Sequence, residues 1–103
     1  MARLKRRCYA RLVGFAWDPR KAKRNLAKHG VSFDDATAVF DDELFLVFAD
    51  PDHSAEESRF IIMGRSKRER LLVVAYTERS DEIRIISARE ATRQERKIYA
   101  EEI

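Results

Sequence analysis

The sequence predicts an α+β domain: an antiparallel or mixed sheet of four to five strands, two N-terminal helices and one C-terminal helix, in the order β-α-α-β-β-β-β-α. Helix punctuation sits at both ends of the chain, in Asp18-Pro19, Gly30 and Thr92-Arg93-Gln94-Glu95. Between them, runs rich in β-branched and aromatic residues are separated by turn-forming residues, the signature of successive strands. The 103 residues show no repeat, low-complexity tract or linker, so one domain with a modest core is expected.

Leu12 to Trp17 is a short strand. Asp18 caps the first helix and Pro19 takes its first position, where a missing N–H does no harm. That helix runs to Lys28-His29 and stops at Gly30, which accepts the left-handed conformation. Ser32-Phe33-Asp34-Asp35 has the spacing of a capping box, with Asp in place of Glu, and opens a second short helix to about Phe40, with Val31 and Ala36 in the staple positions. Leu44 to Ala49 is a strand ended by Asp50-Pro51, and an exposed Phe45 or Phe48 on an edge there offers a partner strand a place to add. Ser58 to Arg65 and Leu71 to Glu78 form a hairpin around Ser66-Lys67-Arg68-Glu69, and Glu82 to Ala88 closes a second around Ser80-Asp81. Thr92 and Glu95 form another capping box, opening a last helix through Ile98 and Tyr99. The helices are expected largely on one face of the sheet.

The simplest registers pair Arg59 with Tyr76, Met63 with Leu72, Tyr76 with Ile85 and Val74 with Ser87. Side chains alternate, so Arg59, Tyr76 and Glu78 share one face, with Arg89 further along it beside Leu72. Thr77, Arg79 and Arg84 fall on the other face. A slip of one residue would exchange these faces.

The net charge of +3 conceals a segregation. Residues 1–30 carry ten Lys or Arg against Asp18 alone, a balance of +9. Residues 31–58 carry nine acids and no Lys or Arg, and residues 59–103 carry eleven basic and eight acidic side chains. Such a distribution suits a polyanion on one side and a basic partner on the other, although charge also simply solvates a small domain. The single Cys8 excludes an internal disulfide and fits a reducing cytoplasm. Met1 to Arg11 is a basic extension ahead of a domain over 12–103. The apolar stretch Leu12 to Trp17 is too short for a signal-peptide core, and no stretch approaches the ~20 apolar residues of a membrane span.

The first helix crowds Arg20, Lys21, Lys23, Arg24 and Lys28 around a thin apolar seam of Ala22 and Leu26. Such a face tracks phosphates with salt-dependent affinity. Lys28 and His29 complement the helix dipole before Gly30, and His29, with an ordinary pKa of ~6.5, is also a candidate for proton transfer or RNA contact. Asp50-Pro51-Asp52-His53-Ser54 is explained by turn chemistry, and without a second His at ligand spacing no metal or other cofactor is expected. Glu57 and Arg59 are two residues apart on one strand face.

The sharper signals are Thr77-Glu78-Arg79 and Ser87-Ala88-Arg89. Metal-free RNA cleavage requires a base for the ribose 2′-OH, cations for the phosphorane and a proton for the leaving 5′-oxygen. Glu78 or His29 suits the first role. Arg59, Arg79 and Arg89 suit the second, because the guanidinium fork binds phosphate oxygens and stays charged. His29 and Tyr76 are both conceivable for the third. Lys21, Lys23, Arg24, Lys28, Arg84 and Arg93 are candidate RNA contacts. The bland alternative pairs the strand-end arginines with Glu78, Glu82 and Glu90 and assigns them nothing more.

Phe15-Ala16-Trp17-Asp18, Lys28-His29-Gly30-Val31-Ser32-Phe33, Asp52-His53-Ser54 with Glu57 and Arg59, and the stretch from Leu71 to Glu95 together resemble the BrnT toxin family. The matching positions include Lys21, Asn25, Gly64, Arg84, Ser87, Arg89, Arg93 and Glu95. The resemblance implies a compact RelE-like fold and metal-independent endoribonuclease activity that arrests growth. It also implies a cognate antitoxin with a ribbon-helix-helix domain, through which the complex reaches operator DNA. The acidic residues 34 to 57 then become a candidate contact for that partner. The chain departs from the pattern in its basic extension and in Glu69, which stands where a turn glycine is common. A non-catalytic RNA- or protein-binding module is the alternative.

Overall fold

The computed structural model describes residues 14–50, 59–79 and 81–102. The basic extension, the start of the first strand and the 51–58 turn with His53 and Glu57 lie outside them. The elements are β1 (Gly14–Ala16), α1 (Pro19–His29), α2 (Phe33–Thr37), a 3-10 turn (Ala38–Asp41), β2 (Leu46–Ala49), β3 (Arg59–Arg65), β4 (Leu71–Arg79), β5 (Glu82–Glu90) and α3 (Arg93–Glu101). The five strands form one mixed sheet in the order β1-β5-β4-β3-β2, with β1 parallel to β5 and the other pairs antiparallel.

The helix boundaries follow the punctuation. Asp18 accepts from the Arg20 N–H at 2.8 Å, and Gly30 ends α1 at φ 69°. Ser32 accepts from the Asp35 N–H at 3.0 Å, but the box there is half-formed. Asp35 turns instead to Arg70 (3.1 Å) and the Lys67 N–H (3.2 Å), tying α2 to the β3–β4 loop. At Thr92 and Glu95 the box is complete.

Each face of the sheet has its own core. Leu72, Val74, Tyr76, Ile62, Val47, Ile83, Ile85 and Ala88 face α2 and the 3-10 turn, meeting Val31, Phe33, Ala36, Val39 and Phe40. We call this the helical face. Leu46, Phe48, Met63, Leu71 and Val73 point the other way and meet Ala91 and Tyr99. The helices are therefore not gathered on one face, because α3 lays Tyr99 against the second core. Phe45 and Phe48 are only 5% and 7% exposed, so β2 presents its backbone, not free aromatic rings, at the described sheet edge.

The interior of α1 also departs from the apolar seam. Leu26 is 51% exposed and Asn25 is buried. The Asn25 side-chain amide donates to the carbonyls of Ala88 (2.7 Å) and Val31 (3.0 Å) and accepts from the Ala88 N–H (3.1 Å). Strand β1 pairs with β5 only at Glu82 to Arg84. Beyond that point an amide stands in for the missing strand, satisfying the exposed edge of the Ala88 peptide.

Gly64 sits where β3 passes under the 3-10 turn. A Cβ there would lie 3.0 Å from both Asp42 Oδ2 and Val39 Cγ1, and 3.2 Å from the Val39 carbonyl. Gly64→Ala is expected to destabilise by about 1–3 kcal/mol through overpacking, measured by urea unfolding.

Both expected registers need correction. The β3–β4 hairpin pairs Arg59 with Thr77 and Met63 with Val73, one residue away from the simplest register. Its loop holds five residues, 66–70, closed by the Ser66 N–H to the Arg70 carbonyl at 2.8 Å. Glu69 supplies the extra residue in the left-handed region at φ 62°, the conformation for which glycine is common at that place. In the β4–β5 hairpin Tyr76 does pair with Ile85, but Val74 pairs with Ala88 and Ala75 with Ser87. A bulge absorbs Ile86 between the two registers.

Candidate active site

The slip and the bulge together decide which cations meet. Arg59, Thr77 and Arg84 are direct cross-strand neighbours, so all three project from the face opposite α1 and α2. Arg59 thus joins Thr77, Arg79 and Arg84, and leaves Tyr76 and Glu78. In a regular strand Arg84 and Arg89, five residues apart, would point to opposite faces. The extra residue at Ile86 brings Arg84, Ser87 and Arg89 to the same one. Arg89 pairs with Val73, four β4 residues and roughly 13 Å from Thr77.

The environments of these arginines differ. Arg59 and Arg84 are half-buried, and neither has a side-chain hydrogen bond or ion pair among the described residues. Arg89 is engaged: its guanidinium donates twice to Glu95, at 2.7 and 2.9 Å, and to the Glu90 carbonyl at 3.2 Å. The hydrogen bond to Glu95 raises the Arg89 pKa. Those bonds, with the capping contacts at Thr92, hold the Glu95 carboxyl down to about 2.

Arg89 therefore fixes the start of α3. A carboxyl lowered on folding adds stability above its unfolded pKa of 4.5, lost as pH falls through about 2. Between these pH values wild type is expected to lose roughly 1–2 kcal/mol more than Glu95→Gln, as measured by urea unfolding at a series of pH values.

His29 ends α1, half-buried, and Lys21, Lys23, Arg24 and Lys28 are exposed along the same helix. This helix packs over β5 on the helical face, through Asn25 and Ala88. His29 and the basic helix therefore belong to the opposite side of the sheet from Arg59 and Arg84. Tyr76 is fully buried on the helical side, its ring 5.0 Å from Phe40 and 5.6 Å from Phe60, so it does not reach the face that carries Arg59 and Arg84. Glu78 and Arg79 are exposed at the end of β4 beside the row, and Arg93 is exposed at the start of α3. Among the described residues no group of three or more His, Cys, Asp or Glu side chains could hold a metal ion. No described helix is long and apolar enough to cross a membrane.

Sequence reasoning did not isolate Thr77. It is 1% exposed and its hydroxyl has no hydrogen-bond partner among the described residues. The adjacent apolar pair Ile85-Ile86, which breaks strict alternation, was the available signal that the β5 register shifts nearby.

The acidic segment is partly structural. Asp42 accepts from the Tyr99 hydroxyl at 2.6 Å and from the N–H groups of Leu44 (2.9 Å) and Arg65 (2.8 Å). Burial, then the bond to Asp42, push the Tyr99 hydroxyl up to about 12. Asp41, Glu43, Leu44 and Glu69 surround this network in an open cleft of about 450 Å³.

Residues 17–95 match the family model described as "Ribonuclease toxin, BrnT, of type II toxin-antitoxin system". A comparison with curated protein sequences gives no match. Among solved structures, the chain is similar to the crystal structure of the Brucella abortus ribonuclease toxin BrnT, with a TM-score of 0.59 and 23% identity over 78% of this chain and 97% of that one. At that identity the likeness establishes the fold, and the family match establishes the rest: the chain belongs to the BrnT ribonuclease toxins of type II toxin–antitoxin systems.

Proposed function

We propose that the protein is a metal-independent endoribonuclease acting in the cytoplasm, and that it cuts RNA on the sheet face opposite α1 and α2. The observation that carries this reading is the row Arg59–Thr77–Arg84, with two guanidinium groups that have no ion pair among the described residues. Cations held by rigid strands, with no carboxylate paired to them among the described residues, suit a phosphodiester whose charge grows in the transition state.

In this mechanism Glu78, whose side chain alternates to the helical side but stands at the exposed end of β4 one residue beyond Thr77, reaches around the strand end to take the proton of the ribose 2′-OH. The 2′-oxygen attacks phosphorus while Arg59 and Arg84 bind the non-bridging oxygens, and Arg79 adds charge at the rim. The bond to the 5′-oxygen breaks and that oxygen takes up a proton, leaving a 2′,3′-cyclic phosphate and a 5′-hydroxyl. Arg89 contributes by anchoring α3 through Glu95. The α1 cations and Arg93 contribute affinity along the RNA.

RNA cleavage by this chain arrests growth until the antitoxin binds. We assign that antitoxin a ribbon-helix-helix domain that carries the complex to operator DNA. Its basic segments meet Asp41 and Glu43.

Purified protein incubated with labelled structured RNA in EDTA, with and without ribosomes, tests the reading. Products ending in 2′,3′-cyclic phosphate support it. Intact RNA in both conditions, retained in a salt-sensitive way, would instead identify a binding module.

A further inference from the structure

A buried hydroxyl without a partner is uncommon, because the bonds it made to water are lost and not replaced. Among the described residues Thr77 is such a group. Valine has nearly the same shape, is as good a strand former and carries no polar atom to satisfy. Folding alone therefore gives no reason for a threonine here.

Its position does. Thr77 is the middle member of the row, with Arg59 on β3 to one side and Arg84 on β5 to the other. Directly opposed cross-strand residues have Cβ atoms roughly 4.5–5.5 Å apart, so both arginine stems are its immediate neighbours. The bulge at Ile86 lies just beyond, at the junction of Ala75 and Tyr76.

We propose that Thr77 is a phosphate-contacting residue, its hydroxyl donating to a non-bridging oxygen of an RNA phosphate held between Arg59 and Arg84. This rests on the sheet face opposite α1 and α2 being the surface that cuts RNA. Two guanidinium forks approach an anion from the sides, and a hydroxyl between them supplies a donor from the sheet beneath. The hydroxyl is buried in the free protein, so the seat must be uncovered when the phosphate binds. Its stability cost is borne by the free protein and relieved on binding.

Thr77→Val and Thr77→Ser, with wild type and Arg84→Ala, test this in two assays. One follows RNA cleavage. The other follows binding of the same sequence bearing 2′-O-methyl groups, which cannot form the attacking oxygen. Thr77→Val is expected to cut and to bind about tenfold less well, the equivalent of one good hydrogen bond. Its melting temperature should equal or exceed that of wild type, and Thr77→Ser should stay close to wild type in both assays.

Wild-type binding and cleavage by Thr77→Val overturn the proposal. So does a joint loss of binding and thermal stability, which would make the hydroxyl a structural group. If wild type cuts nothing, the ribonuclease reading of this face fails, and the 2′-O-methyl RNA still decides on Thr77.

Discussion

Arg84→Ala is expected to cut RNA roughly 10²–10³-fold more slowly than wild type, the usual scale for removing one preorganised charge-stabilising donor. Arg59→Ala should fall in the same range. The double variant should lose less than the product of the two, because in the proposed site both side chains serve one phosphate. Neither arginine has an ion pair among the described residues, so their removal should leave the unfolding free energy within about 0.5 kcal/mol of wild type. Arg89→Ala should behave differently. It frees Glu95 and loosens α3, so its effect appears first as lost stability and only then as lost activity. Single-turnover rates beside urea unfolding separate the two patterns.

The largest effect on stability is expected at Asn25. Asn25→Ala removes three buried hydrogen bonds and strands both the N–H and the C=O of Ala88 at a point where β1 no longer pairs. A buried peptide group left unpaired costs about 1–3 kcal/mol, so a total near 2–5 kcal/mol is expected. Asn25→Asp keeps the size but offers acceptors to two carbonyls, and should be no better tolerated. Because Asn25 lies on the helical side, the cleavage rate per folded molecule should be unchanged. Urea unfolding with activity measured well below the midpoint tests both parts.

The helix ends were legible in the sequence because capping is local chemistry: Asp18-Pro19, Gly30, Ser32 and Thr92 each bond within four residues. The strands were legible from composition, and the resemblance to BrnT toxins supplied family and fold. The arrangement of the candidate site was not legible, because it depends on register, and register is decided by single residues. The left-handed Glu69 lengthens one loop and moves Arg59 to the other face. The bulged Ile86 moves Arg89 to join Arg84. Asn25 was hidden for another reason: a polar side chain on a lysine-rich helix carries no sign that a distant peptide group needs it. The polarity of Asp35 and Asp42 likewise reads as surface charge, whereas both bind backbone N–H groups across the fold.

Two basic surfaces are candidates for the RNA, the sheet face that carries Arg59 and Arg84 and the outside of α1, and they lie on opposite sides of the sheet. The decisive measurement compares single-turnover cleavage by Arg59→Ala/Arg84→Ala with that by a variant carrying Gln at Lys21, Lys23, Arg24 and Lys28. Cleavage lost in the sheet variant, but only weakened and made less salt-dependent in the helix variant, is the expected result. Wild-type cleavage by the sheet variant together with an inactive, fully folded helix variant would place the chemistry at α1 and contradict the assignment.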